Sequence, residues 1–193
     1  MLRRFVLRSA LAAAALLLVP SRLVAEEDIG VPVQLQMELL LKVAGYDKNL
    51  PARARGVVRV VVLTHRDDAQ SRNVAQQALR ALSGKSLKGL PVEISELSIS
   101  DGPALARVVR ERGISIVYAT PGFGSSDLSS IAKALAGQSV LSAGALARFV
   151  ESGVVVCFDL VGGKPKLLIH LRRAREQGVD LSSQVLKLAR VIE

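Results

Sequence analysis

Apolar residues recur along the chain with two alternating periods, and the alternation lays out the elements. Between residues 34 and 46 the apolar positions 35, 39, 40 and 43 keep helical spacing, and Gly45 closes the run before a loop over 47–51. Residues 56–63 are instead a β-branched run of the kind a strand buried on both faces requires. A turn over 64–68 follows, and Asp67 or Asp68 is placed to cap a helix reaching Leu82, with Val74, Ala75, Ala78, Leu79 and Leu82 along one face. The unit then repeats. Val92, Ile94, Leu97 and Ile99 mark a strand over 91–99, Asp101 and Pro103 open a helix that runs to Arg112, and Gly113 ends it. Residues 114–119 form a third strand, 122–126 a Gly- and Ser-rich turn, and 127–136 a helix stopped by Gly137. A short fourth strand over 139–143 and a short helix over 145–151 complete this part.

The character changes near the end. Residues 154–161 and 166–171 read as strands joined by Gly162, Gly163, Lys164 and Pro165, a spacing that makes a hairpin. A last helix over 182–191 buries Val185, Leu186 and Leu188 or Ala189. Alternating strands and helices with short loops predict an α/β fold: a single layered domain with a largely parallel sheet flanked by helices and a C-terminal antiparallel hairpin at its edge.

Residues 1–25 stand apart. Arg3, Arg4 and Arg8 precede an apolar run over 10–19, Pro20 and Ser21 break it, and Ala25 precedes Glu26, Glu27 and Asp28. A basic start, a short apolar stretch and a small residue at the cut predict a secretory signal peptide cleaved after Ala25, with the domain occupying 26–193 and a periplasmic location. The apolar stretch is shorter than the about 20 residues a spanning helix needs. Residues 1–25 hold four arginines and no acid, so the formal charge of +9 falls to +5 over the remainder. That charge is scattered, and with aromatics at 3% and no Trp the bases of a nucleic acid have nothing to stack on, so no nucleic-acid partner is expected. Arg172, Arg173 and Arg175 sit beside Glu176 and read as a solvated helix face.

Chemistry-bearing motifs are sparse. Cys157 is the single cysteine and lies inside an apolar run, where a buried, inert thiol is expected; His65 and His170 are the two histidines, far apart in sequence. Ser83, Gly84, Lys85 and Ser86 mimic the tail of a phosphate-binding loop, but Leu79 stands where its first glycine belongs, and the segment follows a helix. His65, Arg66 and Asp67 mimic a kinase catalytic loop with Asn73 one residue out of place. No catalytic residues, metal or cofactor are therefore expected, and the chain reads as a non-enzyme.

The informative loops follow the parallel strands, because ligands of open α/β sheets bind at the carboxyl edge where strand order reverses. Thr64, Thr120, Gly122, Gly124, Ser125 and Ser142 are the candidate binding residues: backbone amides freed by glycine, a helix N-terminus and hydroxyls suit a small polar or anionic solute, although Asp127 opposes an anion.

Several segments together resemble the YfiR/HmsC-like periplasmic family over about residues 34–192. They are Glu38-Leu39-Leu40-Leu41-Lys42 leading to Tyr46-Asp47-Lys48-Asn49-Leu50, the strand over 57–63, and Val140-Leu141-Ser142. Phe149, Gly153, Phe158, Gly162-Gly163, residues 166–170 and Ser182-Ser183-Gln184-Val185-Leu186-Lys187-Leu188-Ala189 continue the pattern. The chain departs from the family at His170, where asparagine is common, and lacks both the Trp-Pro pair often found after the first helix and the cysteines that form disulfides in some members.

The resemblance implies periplasmic regulation without catalytic residues. Family members are associated with inner-membrane signalling proteins, notably diguanylate cyclases of the cyclic di-GMP pathway, whose output they restrain; a sensor kinase or outer-membrane receptor pathway is an equal context for divergent members. The expectation is an exported regulator that binds the periplasmic domain of such a protein. The alternative is a solute-binding module using the strand-end loops. The apolar positions of the first helix also allow a homodimer, although a helix of this kind more often packs on its own sheet.

Overall fold

The computed structural model describes residues 27–99 and 101–193; the signal peptide expected over 1–25 lies outside the described residues. The chain runs α1 (Val33–Gly45), α2 (Leu50–Ala54), β1 (Val58–Thr64), α3 (Ala69–Leu82), β2 (Ser86–Leu87), β3 (Leu90–Ser98), α4 (Gly102–Arg112), β4 (Ile116–Ala119), α5 (Ser125–Leu135) and β5 (Leu141–Gly144). A 3-10 turn (Ala147–Val150) leads to β6 (Val156–Val161), β7 (Lys164–His170), α6 (Leu171–Glu176), α7 (Ser183–Leu188) and β8 (Ala189–Ile192).

The strands form one eight-stranded sheet in the order β2-β3-β1-β4-β5-β6-β7-β8. The pairs from β3 through β1, β4 and β5 to β6 are parallel, and β6 to β7 is antiparallel. The predicted α/β architecture with a C-terminal antiparallel pair is thus the fold observed. From β1 the chain crosses to β3 on one side and then returns over β1 to β4 on the other. Right-handed crossovers in opposite directions put α3 and α4 on opposite faces, so the order reverses between β1 and β4. In keeping with this, α1 packs against α3, and α4 against α5.

Local sequence explains most boundaries. The Asp68 carboxylate accepts from Ser71 N–H at 2.9 Å and the Asp101 carboxylate from Ala104 N–H at 2.8 Å, capping α3 and α4. Gly113 ends α4 at φ 60°, which a side chain would strain. Val60, Val61, Val62 and Leu63 are all at most 1% exposed, as expected for a strand covered on both faces.

Four expectations are corrected. The loop expected over 47–51 gives way to α2, with Pro51 in its first turn. The helix expected over 145–151 is a single 3-10 turn. The hairpin turn is only Gly162 and Gly163, at φ 57° and 73°, and Pro165 already pairs with Leu160. The last helix stops at Leu188, and β8 pairs in parallel with residues 167–170 of β7. A helix through 191 would have left the edge of β7 with unpaired backbone groups, which four residues in extended form satisfy.

The segment ahead of α1 lies along the carboxyl edge. Glu27 N–H donates to the Gln70 side chain at 2.9 Å, and Arg148 pairs with the Glu27 carboxylate at 2.6 Å. Further on, Gly30 packs beside Leu160. Residues 27–32 are thereby tied to the start of α3, the 3-10 turn and β6.

Candidate functional site

The carboxyl edge carries a crevice where strand order reverses. It has a volume of about 270 Å³ and is lined by His65 and Arg66 after β1, Ile99, Asp101 and Gly102 after β3, and Phe123, Asp127, Ser130 and Ile131 after β4. Phe123 and Ile131 are 2% and 5% exposed and form an apolar floor. The His65 and Phe123 rings meet edge to face with centroids 5.5 Å apart, which braces the wall.

Glycine sets the closeness of the elements here. A Cβ on Gly122, at φ 95°, would stand 2.3 Å from an Asp68 carboxylate oxygen and 3.1 Å from His65 Cβ. Only glycine lets the loops after β1 and β4 nest in this way. At Gly102 a Cβ would meet the Ser130 carbonyl oxygen at 2.6 Å, so the start of α4 packs closely on the middle of α5.

The six candidate residues read from the sequence divide in two. Thr120 Oγ1 donates to Leu63 O at 2.7 Å and lies 2.5 Å from Ser71 Oγ, and both Thr120 and Thr64 are buried. Ser142 is within β5, not in a loop, and its hydroxyl accepts from Val155 N–H at 3.1 Å. The Thr120 and Ser142 hydroxyls hold the scaffold together. Gly122 and Gly124 stand in the loop beside the crevice, and Ser125 opens α5. Gly124 N–H donates to the Asp127 carboxylate at 3.1 Å, so the acid occupies part of the N-terminus that an anion would have used.

Sequence reasoning missed Ile99, Phe123, Ser130 and Ile131 as lining residues and treated His65, Arg66 and Asp101 as structural. The available signal was that charged residues follow three successive strands at the same edge. At the amino edge a wider groove of about 800 Å³ is lined by Arg55, Arg59, Arg110 and Arg112 with Glu93 and Glu111. Its arginines are partly committed, Arg59 to Glu93 at 3.1 Å and Arg110 to Gln138 at 3.3 Å.

Among the described residues no group of three or more His, Cys, Asp and Glu side chains could hold a metal ion, and no helix is long and apolar enough to cross a membrane. Cys157 is fully buried, and burial pushes its thiol well above the ordinary range. A maleimide is therefore expected to leave the native protein unlabelled over a time in which it labels the denatured chain fully, as intact mass would read. His170 is 6% exposed with Nδ1 lacking a hydrogen-bond partner, and burial, then Arg173 and Arg172, lower its pKa. With a folded pKa below the unfolded value of about 6.5, the unfolded chain takes up the proton first, so stability falls as pH drops through that value. His170→Asn is expected to flatten this limb in denaturant melts at pH 7 and pH 5.

A family model described as YfiR/HmsC-like matches residues 33–190. No curated protein matches the chain. Among solved structures, a conserved domain protein from Vibrio cholerae is similar at 14% identity and a TM-score of 0.62, covering 84% of this chain and 60% of that one. An ABC domain in complex with L-Trp from Streptococcus pneumoniae gives 17% and 0.56, covering 83% and 62%. A ligand-free, open substrate-binding protein with adhesive properties from Clostridium difficile gives 12% and 0.57, covering 76% and 58%. The chain spans about three-fifths of each of these structures, and the likeness is one of fold.

Proposed function

The chain belongs to the YfiR/HmsC-like family, and from that premise we propose that it is an exported, non-enzymatic regulator. It binds the periplasmic domain of an inner-membrane signalling protein, such as a diguanylate cyclase or sensor kinase, and changes its output by favouring one of that protein's conformations. The observation that carries this reading is the match over residues 33–190, nearly all of the described chain, to a family of periplasmic regulators. The two histidines and the cysteine supply no nucleophile and base within one cleft: Cys157 on β6 and His170 on β7 are buried, and His65 follows β1, with β4 and β5 between. Crosslinking a C-terminally tagged protein in intact cells is expected to recover one membrane signalling protein, whose output rises or falls when this gene is deleted. Unchanged output in the deletion strain under every inducing condition would overturn the proposal.

A second reading, a solute-binding module, is favoured by the crevice at the strand-order reversal, the position at which open α/β sheets bind ligands. Two structures of like fold are described as an L-Trp complex and a substrate-binding protein, in keeping with such a use of the fold. A solute that raises the melting temperature of the protein, but not of Gly122→Trp, supports this reading. A broad solute screen without any shift would sink it.

A further inference from the structure

We propose that the crevice after β1, β3 and β4 takes a small zwitterion with an apolar tail, an α-amino acid of aliphatic side chain. The inference rests on the solute-binding reading and names its ligand class.

The walls are chemically unequal. Arg66 stands on the side formed by the β1 loop, is exposed, and makes no ion pair among the described residues. Asp101 and Asp127 stand on the other side, at the starts of α4 and α5. Each carboxylate spends one oxygen on a helix start: Asp101 Oδ1 accepts from Ala104 N–H at 2.8 Å, and Asp127 Oδ2 accepts from Gly124 N–H at 3.1 Å. The second oxygen of each has no hydrogen-bond partner among the described residues. The capping bonds hold both acids in place before a ligand arrives, which reduces the ordering a ligand would otherwise impose. Gly102 holds the start of α4 against Ser130 in the middle of α5, and Asp101 and Asp127 both line the same opening.

This charge pattern selects against ions of a single sign. A simple anion would meet Arg66 but also two carboxylates, and a simple cation would meet the carboxylates but also the guanidinium. A molecule with an ammonium and a carboxylate on one carbon can place each against its opposite. Its third substituent then faces the floor of Phe123, Ile131 and Ile99, where burial of hydrocarbon is favourable. The volume of about 270 Å³ lies just below the about 300–1,000 Å³ typical of sites for drug-sized ligands, which limits the tail to a few carbons. The amino-edge groove also has apolar residues, Val60, Ile94 and Ile114, but at about 800 Å³ it is far wider than such a ligand, and its Glu93 is already paired with Arg59 at 3.1 Å.

The test is thermal unfolding of the purified protein with L-leucine and L-valine, compared with leucinamide, which lacks the carboxylate, N-acetyl-L-leucine, which lacks the ammonium, and putrescine and sulfate as single-sign ions. At a hundredfold excess over its dissociation constant, a ligand raises the melting temperature of a domain this size by roughly 5–10 °C. Leucine or valine is expected to give such a shift and the four comparison solutes to give none. Arg66→Ala and Asp127→Asn, the latter keeping an acceptor for Gly124 N–H, are each expected to weaken binding by roughly tenfold or more. Arg66→Ala alters an exposed side chain and should leave the unliganded melting temperature unchanged.

Shifts with sulfate or putrescine and none with the amino acids would overturn the zwitterion and leave the crevice reading standing. No shift with any solute would overturn both, with the regulator reading untouched. A leucine shift that persists at full strength in both variants would place the ligand elsewhere and overturn this assignment.

Discussion

Asp47→Ala is expected to lower the stability of the fold by about 3–5 kcal/mol, the usual result of stranding a buried charge. Asp47 and Arg53 form an ion pair at 1% and 3% side-chain exposure in the corner between α1 and α2. Arg53 has no hydrogen-bond partner for Nε or Nη1, so its compensation rests on that one carboxylate. Burial draws the guanidinium down to about 10, still charged at neutral pH, and without Asp47 the charge remains in the interior. The same carboxylate accepts from Asn49 N–H at 3.1 Å and Asp180 N–H at 2.9 Å, and residue 47 bridges Leu181. One side chain thus fastens the first helical corner to the C-terminal segment. For a domain of this size the loss corresponds to roughly 6–20 °C in melting temperature. Asp47→Asn, which keeps an acceptor, should lose less than Asp47→Ala, and Asp47→Asn with Arg53→Met should recover part of the loss. A fall below about 1 kcal/mol for Asp47→Ala, in the range of a surface pair, would mean that the corner relaxes and admits water.

The second large effect is expected at Gln36, which is fully buried on α1. Its Nε2 donates to Val31 O at 2.8 Å and Ala145 O at 3.0 Å, and its Oε1 accepts from Tyr118 Oη at 2.7 Å. Burial raises the Tyr118 pKa, so the phenol keeps its proton and remains a donor. Gln36→Leu strands two carbonyls and a phenol. At about 1–3 kcal/mol for each unsatisfied buried group, the loss should reach about 3 kcal/mol or more. Tyr118→Phe strands only the Gln36 oxygen and should cost about 1–3 kcal/mol. The double variant should fall short of the sum of the two, because the groups share one network. Gln36 also anchors Val31, within the segment tied to α3, the 3-10 turn and β6. Amide exchange of residues 27–32 should therefore quicken in Gln36→Leu by more than in Tyr118→Phe. Equal exchange in the two variants would separate the segment from the network.

Much of the architecture was legible because its signals are local. The β-branched run at 57–63 needs no context to read as a doubly covered strand, and Asp68, Asp101 and Gly113 mark helix ends through bonds or dihedral angles within a few residues of themselves. The pairing partners were not legible. Leu188 ends a helix and Val191 lies in a strand because β7 offers an unpaired edge there, a long-range fact that helical periodicity at 185, 186 and 189 cannot reveal. Likewise α1 buries Val33, Gln36, Met37, Leu40, Val43 and Ala44, a face turned from the one suggested by Leu35 and Leu39, because Tyr118 and Ala145 supply partners for a glutamine.

The candidate site follows the same division. Sequence alone determined that the loops after β1 and β4 meet at one edge, since alternating strands and helices with short connections impose a parallel sheet. It also determined the family through residues spread along the chain. Only the tertiary structure decided which side chains reach the opening. Thr120 and Ser142 turned inward because a buried carbonyl and a buried amide needed their oxygens, and Thr64 is buried with them, while Arg66, Asp101 and Asp127 were left facing a common space with an apolar floor. Hydrogen-bond demand within the core is set by neighbours distant in sequence, so which polar residues remain for a ligand is decided by packing.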